Sequence, residues 1–383
     1  MVRQINRFKF ACINTMEDEI DSDKVKAASI KTIVITSREP YNQEGNSHMH
    51  YTNELAKRFN VVFVNPPLKF PTLKFEQNRI HNRLTIVPYL NVFPMRFLPV
   101  LFGKLNDMIT ALFLSKMVQE KKVILWQFDP YYLSFLAWFK PYKKLYFPLD
   151  RYSFDRRDLQ VAKNADLLVT VNSTFIERLY HKLIVPKFLV PHGFSMNQKS
   201  PSVEVVDKMK NKYGNFAILT GALSSGVDYQ LLHKVADHIQ PNKLVIIGKK
   251  LVDFKNLELL FKKDNVVYLG VKPFDELKNF IAASMCCLVA YDKATDTWRN
   301  PIKITDYLIQ EKAVINTIPL KDLEIYQQIG LYTSRDANQY LEWVKQGIKG
   351  GLKVDNTKIQ RLVGENSYQK LVARILKELE SIA

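Results

Sequence analysis

Short apolar runs recur through the first half of the chain, and longer mixed segments separate them. The runs are Thr32–Ile35, Val61–Val64, Leu84–Val87, Val123–Trp126, Leu145–Phe147, Leu167–Val171 and Phe188–Val190. Apolar runs of this length, set between segments long enough to form helices, are typical of buried strands in α/β proteins. The alternation therefore predicts a parallel sheet with helices on both faces.

A second series of apolar runs starts after a polar segment that contains proline. Its strand-like runs are Phe216–Leu219, Leu244–Ile247, Val266–Leu269, Cys287–Val289 and Val314–Thr317, and its helical stretches include Tyr229–Ile239, Asp275–Ala283, Ile302–Gln310 and the terminal Ile359–Ile382. We predict an extension over residues 1–30, a first domain over 31–195, a linker over 196–215, a second domain over 216–365 and a C-terminal helix over 366–383 that crosses back to the first domain.

Composition agrees with two globular domains in a reducing compartment. The chain has 383 residues, of which 47% are hydrophobic, so it can bury two cores. Its cysteines are Cys12 and the adjacent Cys286 and Cys287, whose spacing offers neither a disulfide framework nor a metal site. No signal peptide and no apolar run approaching the roughly 20 residues of a membrane span are present, which predicts a cytoplasmic protein.

Positive charge is concentrated in the first half. Residues 1–200 carry a net charge of +12 out of +17 for the whole chain. Such a surface attracts nucleic acid, an anionic bilayer or an acidic substrate, but no nucleic-acid-binding motif accompanies the charge. The segment Phe93–Lys122 combines an apolar face with lysines, which predicts peripheral contact with an anionic membrane; a helix packed on its own sheet gives the same pattern.

The segment Arg299–Leu308 carries the main chemical signal. Asn300 is a suitable N-cap and Pro301 a suitable first residue of a helix that follows a strand. Lys303 and Asp306 would then share one helix face with Tyr307. Because a helix N-terminus attracts anions, the pattern predicts a phosphorylated ligand.

This segment resembles the donor-site motif of GT-B glycosyltransferases, a Pro-x-Lys-x-x-Glu-Tyr-Leu-like run followed by a Gly-Lys-Pro-Val-like run. Asp306 replaces the usual Glu, and Glu311 replaces the usual Gly. Other segments resemble further signatures of the family in the same order, namely Leu219–Ala222 followed by Asp228–Leu232, Leu244–Lys250, Asn265–Leu277 and Leu288–Tyr291. Each match alone also fits an ordinary turn or a solvated lysine.

The resemblance implies an α/β fold of the GT-B type, with two Rossmann-like domains facing a central cleft. It implies that the donor is bound by Gly221, Ala222, Lys249, Val271, Tyr291, Arg299, Asn300, Lys303, Asp306 and His192. Similarity over both halves, including Ser37–Tyr51, Tyr146–Tyr152 and Val190–Phe194, is to bacterial membrane-associated glycosyltransferases of exopolysaccharide or teichuronic-type assembly, such as the glucuronosyltransferase of xanthan synthesis.

For the acceptor side, the resemblance implies Asp150 as general base, with His48 and His50 near the acceptor. The rival interpretation of Asp150 is a structural partner of Arg151, Arg156 or Arg157, and the two histidines also fit packing positions. A general base needs a carboxylate within reach of the acceptor hydroxyl, and partial burial raises its pKa.

The resemblance thus implies an enzyme that moves a hexosyl or glycuronosyl group from a nucleotide sugar, expected to be a UDP-sugar, to a hydroxyl of a carbohydrate or lipid-linked carbohydrate. Neither metal nor other cofactor is expected. Trp298 stands eight residues before Asp306, where many retaining members carry Glu, so inversion is favoured. The expected location is the cytoplasmic face of the cell membrane. The alternative is a catalytically silent GT-B protein that binds carbohydrate or assists assembly.

Overall fold

A computed structural model describes residues 30–42, 45–68, 71–72, 74–151, 155–198, 200–293 and 299–382. The chain divides into a first unit, Met1–Pro191 with Tyr368–Ala383, and a second unit, His192–Ser367. The predicted extension lies outside the described residues except for Ile30, and so does Trp298. Each unit is built on one sheet.

The described part of the first unit forms an eight-stranded sheet. Its strands are β1 (Thr32–Thr36), β2 (Asn60–Asn65), β3 (Asn78–His81), β4 (Leu84–Pro88), β5 (Val123–Gln127), β6 (Lys143–Tyr146), β7 (Leu167–Thr170) and β8 (Lys187–Leu189). They are ordered β3-β4-β2-β1-β5-β6-β7-β8. All neighbouring strands are parallel except β3 and β4, which form an antiparallel pair.

Helices cover both faces of this sheet. They are α1 (Ser47–Ala56), α2 (Pro99–Met117) and α3 (Asp155–Lys163), with a short π-helix over Phe175–Leu179. Because side chains of a strand alternate between faces, Ile33 and Ile35 join the core beneath α1, whereas Val34 joins the core beneath α2. The predicted parallel sheet with two covered faces is confirmed.

The second unit repeats this architecture with six described strands. They are β9 (Phe216–Thr220), β10 (Lys243–Ile247), β11 (Val266–Tyr268), β12 (Cys286–Val289), β13 (Val314–Asn316) and β14 (Leu331–Thr333), all parallel, in the order β11-β10-β9-β12-β13-β14. This is the strand order of a Rossmann fold. The described helices are α4 (Val203–Tyr213), α5 (Tyr229–His238), α6 (Lys255–Phe261), α7 (Phe274–Ala283), α8 (Lys303–Leu308), α9 (Glu324–Gln327), α10 (Ala337–Ile348) and α11 (Asn356–Glu365), with short 3-10 helices over Met196–Gln198 and Lys321–Leu323.

Two segments near the unit boundaries have defined structure. The residues predicted as a linker, 196–215, contain α4, which packs on α7 within the second unit. The last helix, α12 (Tyr368–Ser381), belongs to the first unit and packs on α1. Among the described helices, none combines the length and the hydropathy needed to cross a membrane.

Each sheet has one point where the strand order reverses direction. In the first sheet it lies between β1 and β5, and in the second between β9 and β12. Parallel α/β sheets bind ligands outside the carboxyl ends of the strands at such points. The residues that directly follow these four strands are therefore candidates for binding a ligand.

Candidate functional site

Three glycines border the carboxyl edge of the second sheet. Gly221, Gly248 and Gly270 follow β9, β10 and β11, and their φ angles are +104°, +153° and +65°. A Cβ atom added to Gly248 would lie 1.9 Å from the carbonyl oxygen of Gly221. Because only glycine fits there, this edge presents bare backbone that a ligand can approach closely.

Lys303 is held beside the first of these glycines. Its Nζ donates a hydrogen bond of 2.5 Å to the carbonyl oxygen of Thr220, and a Cβ on Gly221 would lie 2.9 Å from Nζ. One turn later, the Tyr307 hydroxyl accepts a hydrogen bond of 2.8 Å from the Thr220 N–H. Two side chains of α8 thus attach this helix to the end of β9.

Two cations share the ring of Tyr291, which follows β12. The Arg299 Cζ lies 5.2 Å and the Lys303 Nζ 5.4 Å from the ring centroid. The Tyr291 N–H donates to Thr317 Oγ1 at 2.8 Å, which fixes the position of the residue. Cation–π contacts hold both charges beside the bare backbone, where they can meet a diphosphate.

The helix begins two residues later than the sequence predicts. α8 starts at Lys303 with Ile302 as N-cap, so the prediction of Asn300 as N-cap and Pro301 as first helical residue is wrong. The carbonyl oxygen of Asn300 instead accepts a 2.7 Å hydrogen bond from His192 Nε2. Because His192 holds its backbone, Asn300 stays in the loop and does not cap α8.

His192 consequently positions this loop. It is 7% exposed, and burial lowers its pKa to about 4 although the hydrogen bond to Asn300 opposes the shift. The ring is neutral near pH 7, with the proton on Nε2 because a carbonyl oxygen can only accept. Thr305 Oγ1 also donates to the Gly193 carbonyl oxygen at 3.3 Å. Through these two hydrogen bonds, His192 and Gly193 hold α8 and the loop before it in place.

Asp306 is half-buried on α8. Burial raises its pKa to about 7, and the charge of Lys303 opposes the rise. A carboxyl group that titrates near neutrality can accept or donate a hydrogen bond to a ligand hydroxyl.

The remaining predicted donor contacts lie along the same edge. Ala222 and Lys249 are exposed, and the Lys249 side chain has no partner among the described residues. Lys250 differs, because its ammonium forms ion pairs with Asp253 at 2.8 Å and Glu258 at 2.6 Å. Val271, which follows Gly270, is 64% exposed and offers an apolar surface.

His48 and His50 of the first unit lie on α1, where His48 is buried and His50 is half-buried. The Nε2 atom of His48 lies 3.9 Å from a Glu39 carboxylate oxygen, and the ring of His50 stacks on Tyr368 at 4.6 Å. Burial lowers the pKa of each to about 4. In this arrangement His50 packs between two helices, which matches the packing alternative for this residue.

Comparison with known proteins identifies the fold. No family model and no curated protein matches the chain. Among solved structures, it is similar to sucrose-phosphate synthase from Thermosynechococcus elongatus, with a TM-score of 0.70, 12% identity and coverage of 92% of this chain and 100% of that chain. The chain has the GT-B fold.

Two further solved structures match at similar identity, and one of them contains a bound nucleotide. HepE from Anabaena in complex with UDP and glucose matches with a TM-score of 0.69 at 12% identity, covering 91% of this chain and 99% of that chain. The α,α-trehalose-phosphate synthase (UDP-forming) from Burkholderia vietnamiensis matches with a TM-score of 0.67 at 12% identity, covering 92% and 99%. At this identity the likeness establishes the fold alone.

In this GT-B chain, Asp150 is exposed in the loop after β6, so the partial burial expected of a base is missing there. A carboxylate that sequence reasoning overlooked lies at the switch point of the first sheet. Asp129, two residues after β5, is fully buried; its Oδ1 accepts a 2.7 Å bond from the Tyr131 N–H, and Oδ2 has no hydrogen-bond partner among the described residues.

Burial raises the pKa of Asp129 to about 7, whereas the Tyr131 amide and Arg38 lower it. Arg38 follows β1, and its Cζ lies 5.5 Å from the centroid of the Tyr131 ring. A buried carboxyl oxygen without a partner is rare and calls for an explanation such as a bound hydroxyl. The available signal was an acidic residue just after the apolar run Val123–Trp126, a position like that of Asp150 after the run Leu145–Phe147.

Proposed function

We propose that the protein transfers a sugar from a nucleotide sugar, of the UDP type, to a hydroxyl of a carbohydrate or lipid-linked carbohydrate acceptor. The observation that carries this proposal is the pair of cations, Lys303 and Arg299, on the ring of Tyr291 beside the bare backbone at Gly221. A nucleoside diphosphate needs such charges when the glycosidic bond breaks, because negative charge then develops on the leaving group.

The comparisons support the donor class. HepE has been solved with UDP, with UDP and glucose, and with UDP-glucose, and the trehalose-phosphate synthase is described as UDP-forming. By analogy we assign the diphosphate to Lys303, Arg299 and the backbone at Gly221, and the nucleobase to the backbone at Val271. Ala222 and Lys249 would border the diphosphate, whereas His192 and Asn300 would hold the loop in place.

For the acceptor side we propose Asp129 as the base in place of Asp150. The acceptor O–H proton would pass to the Asp129 carboxylate while the acceptor oxygen bonds to the anomeric carbon and the bond from that carbon to the diphosphate oxygen breaks. A base whose pKa lies near the working pH is well suited to this step.

We also propose that the transfer inverts the configuration of the anomeric carbon and that it needs no metal ion. Lys303 and Arg299 supply the positive charge that a metal supplies elsewhere. The missing Glu eight residues before Asp306 favours inversion, whereas one neighbour, a trehalose-6-phosphate synthase, is described as transferring with retention. Proton NMR of the anomeric signal in the first product formed distinguishes the two outcomes, and turnover in EDTA tests the metal.

The decisive experiment is calorimetric titration with UDP, UDP-glucose, ADP and uridine, followed by detection of released UDP. We expect UDP and UDP-glucose to bind and uridine to bind far more weakly, because the two cations act on phosphate. Failure of all four ligands to bind would overturn the proposal.

The rival function is a silent GT-B protein that binds carbohydrate or serves in assembly. It is motivated by Asp306 and Glu311, which depart from the family motif. Binding of UDP-glucose without release of UDP, in the presence of any offered sugar acceptor, would favour this rival.

We also propose that the protein acts in cell-surface polysaccharide synthesis as a cytoplasmic protein attached to the inner face of the cell membrane. The basic first half, with +12 of the net +17, supports this location. Cell fractionation at low and high salt tests it, because peripheral attachment through charge weakens as salt rises.

A further inference from the structure

The start of α2 exposes a compact group of apolar side chains. Phe97, Leu98, Val100 and Leu101 are 63%, 51%, 65% and 53% exposed. We call the segment Phe97–Leu101 the apolar tip. Contiguous exposed apolar surface of this kind marks an interaction site in a soluble protein.

The tip stays exposed because polar side chains occupy much of the inward face in the first half of α2. Asn106, Asp107 and Thr110 are buried, and each is hydrogen-bonded to the segments beside the helix. Asn106 Oδ1 accepts from the Phe93 N–H at 2.9 Å, and Thr110 Oγ1 from the Leu90 N–H at 3.0 Å. Rotating the helix to bury the tip would expose or break these bonds, so the tip is held outward.

Two cationic side chains lie next to the tip along the chain. The Arg96 guanidinium lies over the Phe97 ring at 4.6 Å, and Lys104 is exposed one turn further on. The first turn of α2 contains no acidic residue, and no side chain caps the helix, so the positive end of the helix dipole is not neutralised. An apolar surface with a cationic rim is complementary to a bilayer that contains anionic lipid.

The tip also lies at the sheet edge that carries the two candidate bases of the first unit. It belongs to the connection from β4 to α2, which leaves the sheet at the carboxyl ends of its strands. Asp129 and Asp150 follow β5 and β6 at the same edge. A surface that binds lipid here brings that edge close to molecules anchored in the membrane.

We propose that the apolar tip inserts into an anionic lipid bilayer and that the acceptor of the transfer is a lipid-anchored carbohydrate. The first statement stands on the tip alone, whereas the second rests on the function proposed above. The tip, rather than a whole face of Phe93–Lys122, is the inserting element, because Ala111 and Leu114 further along α2 are buried in the core of the first unit.

The test measures flotation of the full chain with vesicles of phosphatidylcholine, with or without phosphatidylglycerol. We expect Val100→Gln and Leu101→Gln each to weaken binding to the anionic vesicles about tenfold, because each removes apolar area that leaves water on insertion. Arg96→Gln should weaken binding mainly at low salt. The matched control is Ile184→Gln, because Ile184 is 93% exposed but lies in the connection entering β8, at the opposite edge of the sheet.

Several outcomes would overturn the proposal. One is vesicle binding that is indifferent to the tip substitutions or equally sensitive to Ile184→Gln. Another is a dimer in light scattering without vesicles that the tip substitutions dissociate, which would assign the tip to a second copy of the chain. UDP titration of the same samples separates the two proposals, since failure of the unsubstituted chain to bind vesicles while it still binds UDP contradicts only the membrane role of the tip.

The acceptor class is tested by comparing one acceptor sugar, free in solution and attached to a lipid in the same vesicles, with UDP-glucose as donor. UDP release stimulated by the lipid-attached form, and reduced by Val100→Gln, is the expected result. Equal stimulation by both forms would contradict a lipid-anchored acceptor. Absence of UDP release with either form, despite UDP-glucose binding, would contradict the transferase activity itself.

Discussion

The ammonium nitrogen of Lys303 lies 2.5 Å from the carbonyl oxygen of Thr220, where β9 ends. An ammonium group has three donors, so this bond leaves others for a ligand. Because one donor is already fixed on the backbone, the charge is positioned before a phosphate arrives. Less side-chain entropy is then lost on binding.

Replacing Lys303 by Ala should weaken UDP binding by roughly 1.5 to 3 kcal/mol and uridine binding much less, since a charge-assisted contact to phosphate is lost. Calorimetry measures both ligands. Lys250→Ala is the matched control, because Lys250 lies near the same edge but is paired with Asp253 and Glu258. Equal losses for UDP and uridine would remove Lys303 from the phosphate site.

Gly248→Ala should destabilise the second unit by at least about 2 kcal/mol and abolish UDP binding, because the added Cβ meets the Gly221 carbonyl and the backbone is strained. Gly214→Ala provides the comparison. Its φ is also positive, at +66°, but nothing lies within 4 Å of the added atom, so only the backbone cost of roughly 1 to 3 kcal/mol remains, without the clash. Similar losses in urea unfolding of the two variants would contradict crowding at Gly248.

Asp129→Asn should reduce turnover by about 10² to 10⁴ while UDP affinity is kept, because Asn retains the Oδ1 acceptor for Tyr131 but cannot take a proton. Its folded-state pKa is about 7, above the usual 3.8, so ionisation costs stability as pH rises through this range. The variant should therefore be at least as stable as the parent at pH 8.

Asp150→Asn, measured in parallel, decides between the two candidate bases. Loss of turnover with this variant and near-normal turnover with Asp129→Asn would restore the base predicted from the sequence. The exposed Glu76→Gln controls for the loss of one negative charge from the same unit.

Acid should destabilise the protein through His192. Its pKa is about 4 when folded and 6.5 otherwise, so the unfolded chain binds more protons below pH 6.5 and stability falls as pH decreases. Between pH 7 and pH 5 this group alone accounts for a loss of roughly 2 kcal/mol.

Urea unfolding of His192→Gln at the two pH values should show a correspondingly smaller loss. His238→Gln, at the exposed end of α5, controls for removal of an imidazole. An unchanged pH dependence in His192→Gln would show that the ring is accessible to protons in the folded state.

Glu311→Gly should stabilise the second unit by about 0.5 to 1 kcal/mol. Glu311 has a φ of +57°, which costs a residue with a Cβ about 1 to 2 kcal/mol, and its side chain recovers part of this through a 2.7 Å bond from Gln360. Glu311→Ala loses the bond and keeps the strain, so its melting temperature should fall. A melting temperature for Glu311→Gly below that of the parent would contradict this account.

Local pattern was sufficient for the described strands other than β3 and β14. Runs such as Val61–Val64 and Leu244–Ile247 are strands because both faces of each sheet are buried, which leaves an apolar run in the sequence. β3 was missed because its four residues are all exposed and carry no such pattern. Antiparallel pairing with β4, a tertiary contact, is what makes it a strand.

In the candidate site, contacts between residues far apart in the sequence determine the features that the local sequence pattern did not predict. Asn300 has the chemistry of an N-cap, but its carbonyl is engaged by His192, which lies 108 residues earlier. Asp129 and Asp150 both follow apolar runs and look alike in sequence. Only strand order, which places β5 beside β1, shows that Asp129 lies at the switch point and is buried.

The buried carboxylate of Asp107 joins two parts of the first unit. It accepts hydrogen bonds from the Tyr89 hydroxyl, from the Ser134 hydroxyl and from the backbone N–H groups of Leu133, Ser134 and Phe135. The segment that begins at Asp129 is thereby fastened to α2, the helix that carries the apolar tip. A displacement of α2 would therefore also pull on that segment through the hydrogen bonds of Asp107, which links the position of the helix to the placement of the buried acid.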